Sequence, residues 1–223
     1  MSASVDARGQ RATSGADRRR RALDLLIAVP GAITTAPVVA VLCVLIRLES
    51  PGSPIFTQER AGLHGRPFRI YKLRTMVSGA ERIGAGLAVL PGAARITRTG
   101  RFLRRYSLDE LPNLWNVLRG EMAVVGPRPT LIGQVERYSE RQRRRLEVAP
   151  GITGWAQVNG RASLPWSQRI ELDVWYVEHR SPWLDLRILA RTVRMVASGH
   201  GLYHDDSSGG VDLGGDCRAG DEG

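Results

Sequence analysis

Lysine is almost missing from this chain: Lys72 is its single representative, so the basic side chains are arginines. Lys and Arg together number 32 against 22 Asp and Glu, which leaves a net charge of +10. Such an excess draws polyanions, and three classes qualify: nucleic acid, anionic lipid headgroups and phosphorylated small substrates. Cysteine is scarce as well. Cys43 lies in an apolar run and Cys217 in a polar stretch, which excludes a disulfide framework and any cysteine metal spacing. A reducing, cytosol-facing location fits that scarcity. Internal repeats are absent, and so are long apolar runs, with one exception.

What is present suits one folded domain with short appendages. The chain has 223 residues, 43% hydrophobic and 24% charged, an ordinary balance for a globular protein. Residues 1–17 are Gly, Ser, Ala, Asp and Arg without apolar periodicity and are expected to form a loose tail. The stretch 199–223, with Gly209-Gly210, Gly214-Gly215 and scattered acids, is expected to behave the same way.

The exception runs from Ala22 to Ile46, broken by Asp24, Thr34, Thr35, Pro30 and Pro37. About 25 residues at ~1.5 Å each reach ~37 Å, enough for the hydrocarbon core of a bilayer. A secretory signal, a straight spanning helix and a helix that enters and returns all compete. The signal reading lacks a small-residue cleavage site. Arginines flank both ends, Arg18 to Arg21 before and Arg47 after, and basic flanks stay on the cytoplasmic side. That symmetry favours a re-entrant segment over 18–48, bent where a proline removes a backbone donor.

Residues 49–198 then carry the remaining elements. Pro54–Arg60 and Arg66–Thr75 predict two strands around a Gly62/Gly65 turn. Gly79–Ala94 predicts a loop. Helical patterns follow at about 98–105, 109–118, 130–147, 167–179 and 183–198, with a turn-rich passage between Pro150 and Gly160. The last helix sets Leu184, Ile188, Leu189, Val193 and Val196 against Arg187, Arg191 and Arg194. With Trp166, Trp175 and Trp183 nearby it suits a membrane surface, although an apolar stripe packed on a core reads identically.

Three passages offer chemistry. Asp109 and Glu110 are predicted to open a helix, capped either by Ser107 with Glu110 in the capping-box place or by Asp109 itself, with Pro112 favouring the later start. The positive helix end and the nearby Arg104 and Arg105 favour ionised carboxylates there. An ionised Asp can attack phosphorus, and an adjacent Glu can hold Mg2+. Alone, Ser-x-x-Glu before an apolar helix is usually only a cap. In Gly126-Pro-Arg-Pro129 two prolines stiffen the chain around Arg128, whose planar fork suits phosphate oxygens. In Pro150-Gly-Ile-Thr-Gly-Trp-Ala-Gln-Val-Asn-Gly-Arg161 the glycines allow close backbone approach, and Gln157, Asn159 and Arg161 offer hydrogen bonds. Lys72 and Arg74 are further cations, or simply solvated strand residues.

Taken together, residues from Arg21 to about Ser198 resemble the bacterial sugar transferase family, the monotopic polyprenol-phosphate phosphoglycosyl transferases. The resemblance rests on the ordered set Arg21-Ala-Leu-Asp24, Pro54-Ile-Phe-Thr-Gln58, Tyr71-Lys-Leu-Arg-Thr-Met76, Ser107-Leu-Asp-Glu-Leu-Pro112, Gly126-Pro-Arg-Pro129 and Pro150 to Arg161. It implies an α+β, mostly helical fold with a short β-hairpin, a re-entrant N-terminal membrane helix and amphipathic interfacial helices. It also implies an enzyme at the bacterial inner membrane, its catalytic domain facing the cytoplasm. That enzyme would move a sugar-1-phosphate from a UDP-sugar to undecaprenyl phosphate and so initiate exopolysaccharide or glycoconjugate synthesis.

Asp109 would be the nucleophile, Glu110 the Mg2+ ligand, and Arg104, Arg128, Lys72 and Arg161 the phosphate-binding positions. The membrane helix would break at Pro37. Here Ala36 precedes that proline where relatives often carry Ser, which leaves the bend angle open. The chain has no room for the several membrane helices that precede this core in some relatives, so a minimal version is expected. Homo-oligomerisation is left open. Two rivals of other classes stand beside this reading. One is a basic membrane-tethered module holding nucleic acid or lipid, supported by +10 and Arg141 to Arg145; the other is an inactive scaffold.

Overall fold

In the computed structural model, residues 15–80, 95–160 and 164–198 are described. The tail before residue 15, most of the glycine-rich loop, Arg161 and the stretch after 198 lie outside them.

Helix α1 (Gly15–Glu49) is one element with Pro30 and Pro37 inside it. It begins three residues before the boundary expected at 18. Its inward side repeats at helical spacing: Ala28, Leu42 and Ile46 are buried, while Leu26, Ile33, Val41, Val44 and Leu48 are exposed. Between the prolines, Thr34 donates to the Pro30 carbonyl at 2.8 Å and Thr35 to the Gly31 carbonyl at 2.7 Å. Hydroxyls turned back one turn like this bend helices, here in the turn before Pro37.

Both ends of α1 are fastened to the same body. Arg21 donates to the carbonyls of Val117 (2.5 Å) and Leu118 (2.8 Å), capping the negative end of α3 (Asn113–Arg119). Asp24 accepts from the Val124 amide at 2.8 Å. At the far end Glu49 accepts the amides of Arg98 (2.6 Å) and Thr99 (3.0 Å), and so caps α2 (Arg98–Arg105). The packing divides in the same way. Ala28 belongs to the main core with Phe68, Val117, Met122, Tyr176 and Ile188. Leu42 and Ile46 belong to a second cluster with Leu73 and Leu103.

Strands β1 (Ile55–Ala61) and β2 (Pro67–Leu73) form the expected antiparallel hairpin, with Ile55 opposite Leu73 and Ala61 opposite Pro67. Asn116, fully buried in α3, ties this hairpin down. Its amide donates to the Arg69 carbonyl (2.7 Å) and the Glu121 carboxylate (2.8 Å), and accepts from the Tyr71 amide (3.3 Å).

A second, parallel pair was not foreseen: β3 (Ala123–Val125) lies beside β4 (Gly151–Thr153). Strands of three residues leave no alternation to read. Their closeness depends on glycine. A Cβ on Gly126 would sit 2.5 Å from the Ala149 carbonyl oxygen, and one on Gly151 would sit 2.1 Å from the Gly126 amide. Gly126→Ala is therefore expected to destabilise the fold by roughly 1–3 kcal/mol, read as a lowered Tm. An unchanged Tm would mean that these backbones are not in contact in solution.

The single helix expected over 130–147 is broken into α4 (Ile132–Val135), α5 (Glu140–Arg143) and a 3-10 turn, Arg144–Glu147. The turn-rich passage holds β4 and the short α6 (Trp155–Val158). Helices α7 (Trp166–His179) and α8 (Pro182–Ala197) follow as anticipated. In α8, Leu184 and Ile188 are buried. Val193, expected on the apolar side, is exposed together with Trp183 and Leu186.

Candidate active site

The acid pair does not open an α-helix. Asp109 and Glu110 sit in a 3-10 turn, Leu108–Glu110, and α3 starts only after Pro112. Ser107 before them is left-handed (φ 54°, ψ 23°) and makes no side-chain cap, so neither expected cap exists. A turn of three residues has little dipole to lend. What it does is push both carboxylates inward, and each residue is only 4% exposed.

The three other positions expected here that fall within the described residues gather around that pair. Lys72 on β2 reaches Glu110 Oε1 with Nζ at 2.7 Å, and Arg128 reaches the same oxygen with Nη2 at 3.0 Å. Lys72 is thus no solvated strand residue. Arg104, at the end of α2, donates from Nε to the Thr75 hydroxyl at 3.0 Å and adds its positive field at Asp109. Arg161 lies outside the described residues.

Asp109 differs electrically from the expectation. Burial pushes its carboxyl up to about 6, and the neighbouring Glu110 charge pushes the same way. Lys72, Arg104 and Arg128 pull it down without cancelling the rise. Its Oδ1 is buried with no hydrogen-bond partner among the described residues. Glu110 is ion-paired twice; Asp109 is held poised beside it. A buried carboxylate oxygen without a protein donor is aimed at something the protein does not supply.

Hard oxygens in this arrangement fit Mg2+. No group of three or more His, Cys, Asp or Glu gathers among the described residues. Two adjacent carboxylates are nevertheless what Mg2+ uses when substrate phosphates and water complete its shell. Glu110, with Asp109 beside it, would hold the ion.

Sequence reasoning missed several residues. A cavity of about 30 Å3 next to Glu110 is lined by Arg60, Lys72, Asn113, Arg128 and Ile152, among others. Arg60 sits on β1, where alternation marks a face but not what that face meets. Asn113 is buried, with Oδ1 unpartnered among the described residues. Two asparagines three apart among the apolar residues of α3, Asn113 and Asn116, were the available signal.

Of the glycine-rich passage, Asn159 accepts from Arg191 at 2.7 Å and donates to the Trp155 carbonyl at 2.8 Å, so it serves packing. In the basic run Arg141 to Arg145 most of the charge is paired or buried, and Arg143 is exposed. Arg141 pairs with Glu171 at 2.9 Å, Arg144 pairs with Glu178 at 2.5 Å, and Arg145 is buried.

The sequence model of the family described as "Bacterial sugar transferase" matches residues 16–199. The sugar transferase EpsL of Bacillus subtilis (strain 168) is 47% identical over 184 residues, covering 82% of this chain and 89% of that protein. The UDP-glucose:undecaprenyl-phosphate glucose-1-phosphate transferase of Caulobacter vibrioides is 41% identical over 195 residues, 84% of this chain and 73% of its own length. An Aeromonas hydrophila UDP-N-acetylgalactosamine-undecaprenyl-phosphate N-acetylgalactosaminephosphotransferase is 41% identical over 188 residues, 82% of this chain. The chain spans 44% of that last protein, less than half its length.

Proposed function

We propose, from the premise that this chain belongs to the bacterial sugar transferase family, that it moves a sugar-1-phosphate from a UDP-sugar to undecaprenyl phosphate. The observation that carries this reading is Asp109 itself: a buried carboxylate with one oxygen unpartnered among the described residues, ringed by Lys72, Arg104 and Arg128.

The exchange runs in two steps. An oxygen of ionised Asp109 attacks the sugar-bearing phosphorus, the bond from that phosphorus to the bridging oxygen breaks, and UMP leaves with the bridging oxygen. The sugar phosphate is then joined to the Asp109 carboxylate as an acyl phosphate, a mixed anhydride. An oxygen of undecaprenyl phosphate attacks the same phosphorus, Asp109 leaves as carboxylate, and a lipid diphosphate sugar is released. Two half-reactions let a soluble donor and a lipid acceptor use one site in turn. Lys72, Arg104 and Arg128 offset the charge that gathers on the phosphoryl oxygens. Mg2+, when bound, adds positive charge to those same oxygens.

The membrane helix gives this chemistry its depth. A helix of 35 residues is about 52 Å long, and the exposed side of α1 is apolar. A straight crossing would carry its ends to opposite faces of a core ~30 Å thick. Arg21 and Asp24 at one end and Glu49 at the other are held by the same body, which supports a segment that enters and leaves on one side. With arginines at both ends, that side is the cytoplasmic face of the inner membrane.

The test is release of UMP from a panel of UDP-sugars, including UDP-glucose and UDP-N-acetylgalactosamine, with undecaprenyl phosphate in detergent. One sugar is expected to give rapid, Mg2+-dependent release. No release from any of them overturns the reading. The pH profile is a second expected result. Because the nucleophile must be ionised and Asp109 lies near 6 before Mg2+ binds, kcat/KM measured at limiting Mg2+ should rise through about pH 6 and level off above it. The midpoint belongs to the acid pair rather than to Asp109 alone. A profile flat from pH 5 to 8 would contradict the raised pKa.

A further inference from the structure

Arg128 is held from behind by charges that do not touch the reaction. Its backbone carbonyl accepts from Nη2 of Arg145 at 2.9 Å. The same nitrogen pairs with Asp173 Oδ2 at 2.5 Å, and Nη1 donates to the Tyr138 hydroxyl at 2.6 Å. Tyr138 in turn donates to the Thr130 hydroxyl at 3.0 Å. The Thr130 carbonyl accepts from the Ala61 amide of the hairpin at 2.9 Å. The segment Arg128-Pro129-Thr130 is thus gripped on both sides of its proline. Arg145 and Asp173 are each 2% exposed, and Tyr138 and Thr130 are buried too.

We propose that Arg145, Tyr138 and Asp173 are positioning residues that aim the Arg128 guanidinium at the phosphate of the donor. The inference rests on the function proposed above and deepens it. A buried ion pair is a poor way to gain stability, since apolar side chains of similar volume serve as well or better. Its geometry here does something apolar side chains cannot do. One planar fork meets a carboxylate, a hydroxyl and a backbone carbonyl at fixed angles. The carbonyl it meets belongs to the residue whose side chain reaches Glu110. Proline before and after Arg128 removes backbone freedom; the Arg145 contact sets which orientation remains. On α7, Asp173 stands in the buried stripe of Ile170, Val174 and Val177, an acid among apolar neighbours.

Arg145→Lys keeps the charge facing Asp173 but loses the fork. It is expected to lower kcat/KM for UMP release by about 10- to 100-fold with its Tm within a few degrees of the parent. The deciding comparison is a double-mutant cycle with Arg128→Ala. If Arg145 acts through Arg128, adding Arg145→Lys to Arg128→Ala costs less than about twofold more. Equal losses with and without Arg128 would mean a general structural role and would overturn the proposal. Should Arg145→Lys fail to fold, Tyr138→Phe carries the same cycle, since it keeps the ring and loses only the hydroxyl that links Arg145 to Thr130. The cycle is run in parallel on UDP affinity, followed by calorimetry. A parent chain that binds UDP without releasing UMP would sink the proposed reaction and leave the cycle to decide this inference alone. A parent chain that does neither overturns both.

Discussion

Asp109→Asn is expected to stop UMP release and, in the same sample, to raise the melting temperature. The two effects share one cause. Burial and the Glu110 charge hold the Asp109 carboxyl near 6 in the folded chain, above the value near 4 of an unfolded one. The sign follows directly. A group whose folded pKa is raised contributes stability that is complete below the unfolded pKa and is lost as pH rises through the folded one. At pH 7 the ionised Asp109 is therefore a burden on the fold. Asparagine keeps the shape and removes the charge. The gain is at most on the order of 2–3 kcal/mol, since one pKa unit is about 1.4 kcal/mol. For a chain of this size that is several degrees in Tm. The rise should shrink below pH 4, where Asp109 is protonated in both states. Normal turnover by Asp109→Asn would remove the nucleophile from the account. A lower Tm would remove the strained carboxylate.

The Glu110→Gln variant should shift the melting temperature the opposite way. Glu110 holds Lys72 and Arg128 through one oxygen, and its loss leaves two cations facing each other across the site. Removing one partner of a buried pair costs roughly 3–5 kcal/mol. Lys72 is 15% exposed and Arg128 34%, so solvent screens part of that and a cost of about 2 kcal/mol is expected here. UMP release should fall at least 100-fold, and any remaining activity should need more than tenfold higher Mg2+. The acid limb of that remaining activity should also move below pH 6. Glu110 no longer repels the Asp109 charge, while Lys72 and Arg128 still attract it. A stable variant with an unchanged Mg2+ requirement would assign the metal elsewhere. Substituting either acid thus separates two jobs that the sequence presents side by side.

Much of the fold was legible because its signals are local. The apolar run gives α1, the alternation around Gly62 and Gly65 gives the hairpin, and helical spacing gives α2, α7 and α8. The pairing of β3 with β4 was hidden, since it joins segments almost thirty residues apart and each strand has three residues. The glycines of both segments were visible, but not that they face one another. The identity of the acid pair was legible; its setting was not. Ser-x-x-Glu promised a cap, while the left-handed backbone at Ser107 turned the acids into a buried 3-10 turn. That burial comes from packing against β2 and α2, so the direction of the Asp109 shift could not be read from neighbours in sequence. Arg145 taught the same lesson. In the sequence it ends a basic run, and its partner Asp173 lies 28 residues further along.

The most direct test is intact-protein mass spectrometry of the purified chain, quenched within milliseconds of mixing with its UDP-sugar and Mg2+ but no lipid acceptor. A single added sugar phosphate, located on the peptide containing Asp109 and discharged when undecaprenyl phosphate is supplied, is the predicted result. Full turnover with no adduct at any quench time, or an adduct carried by another residue, would contradict it.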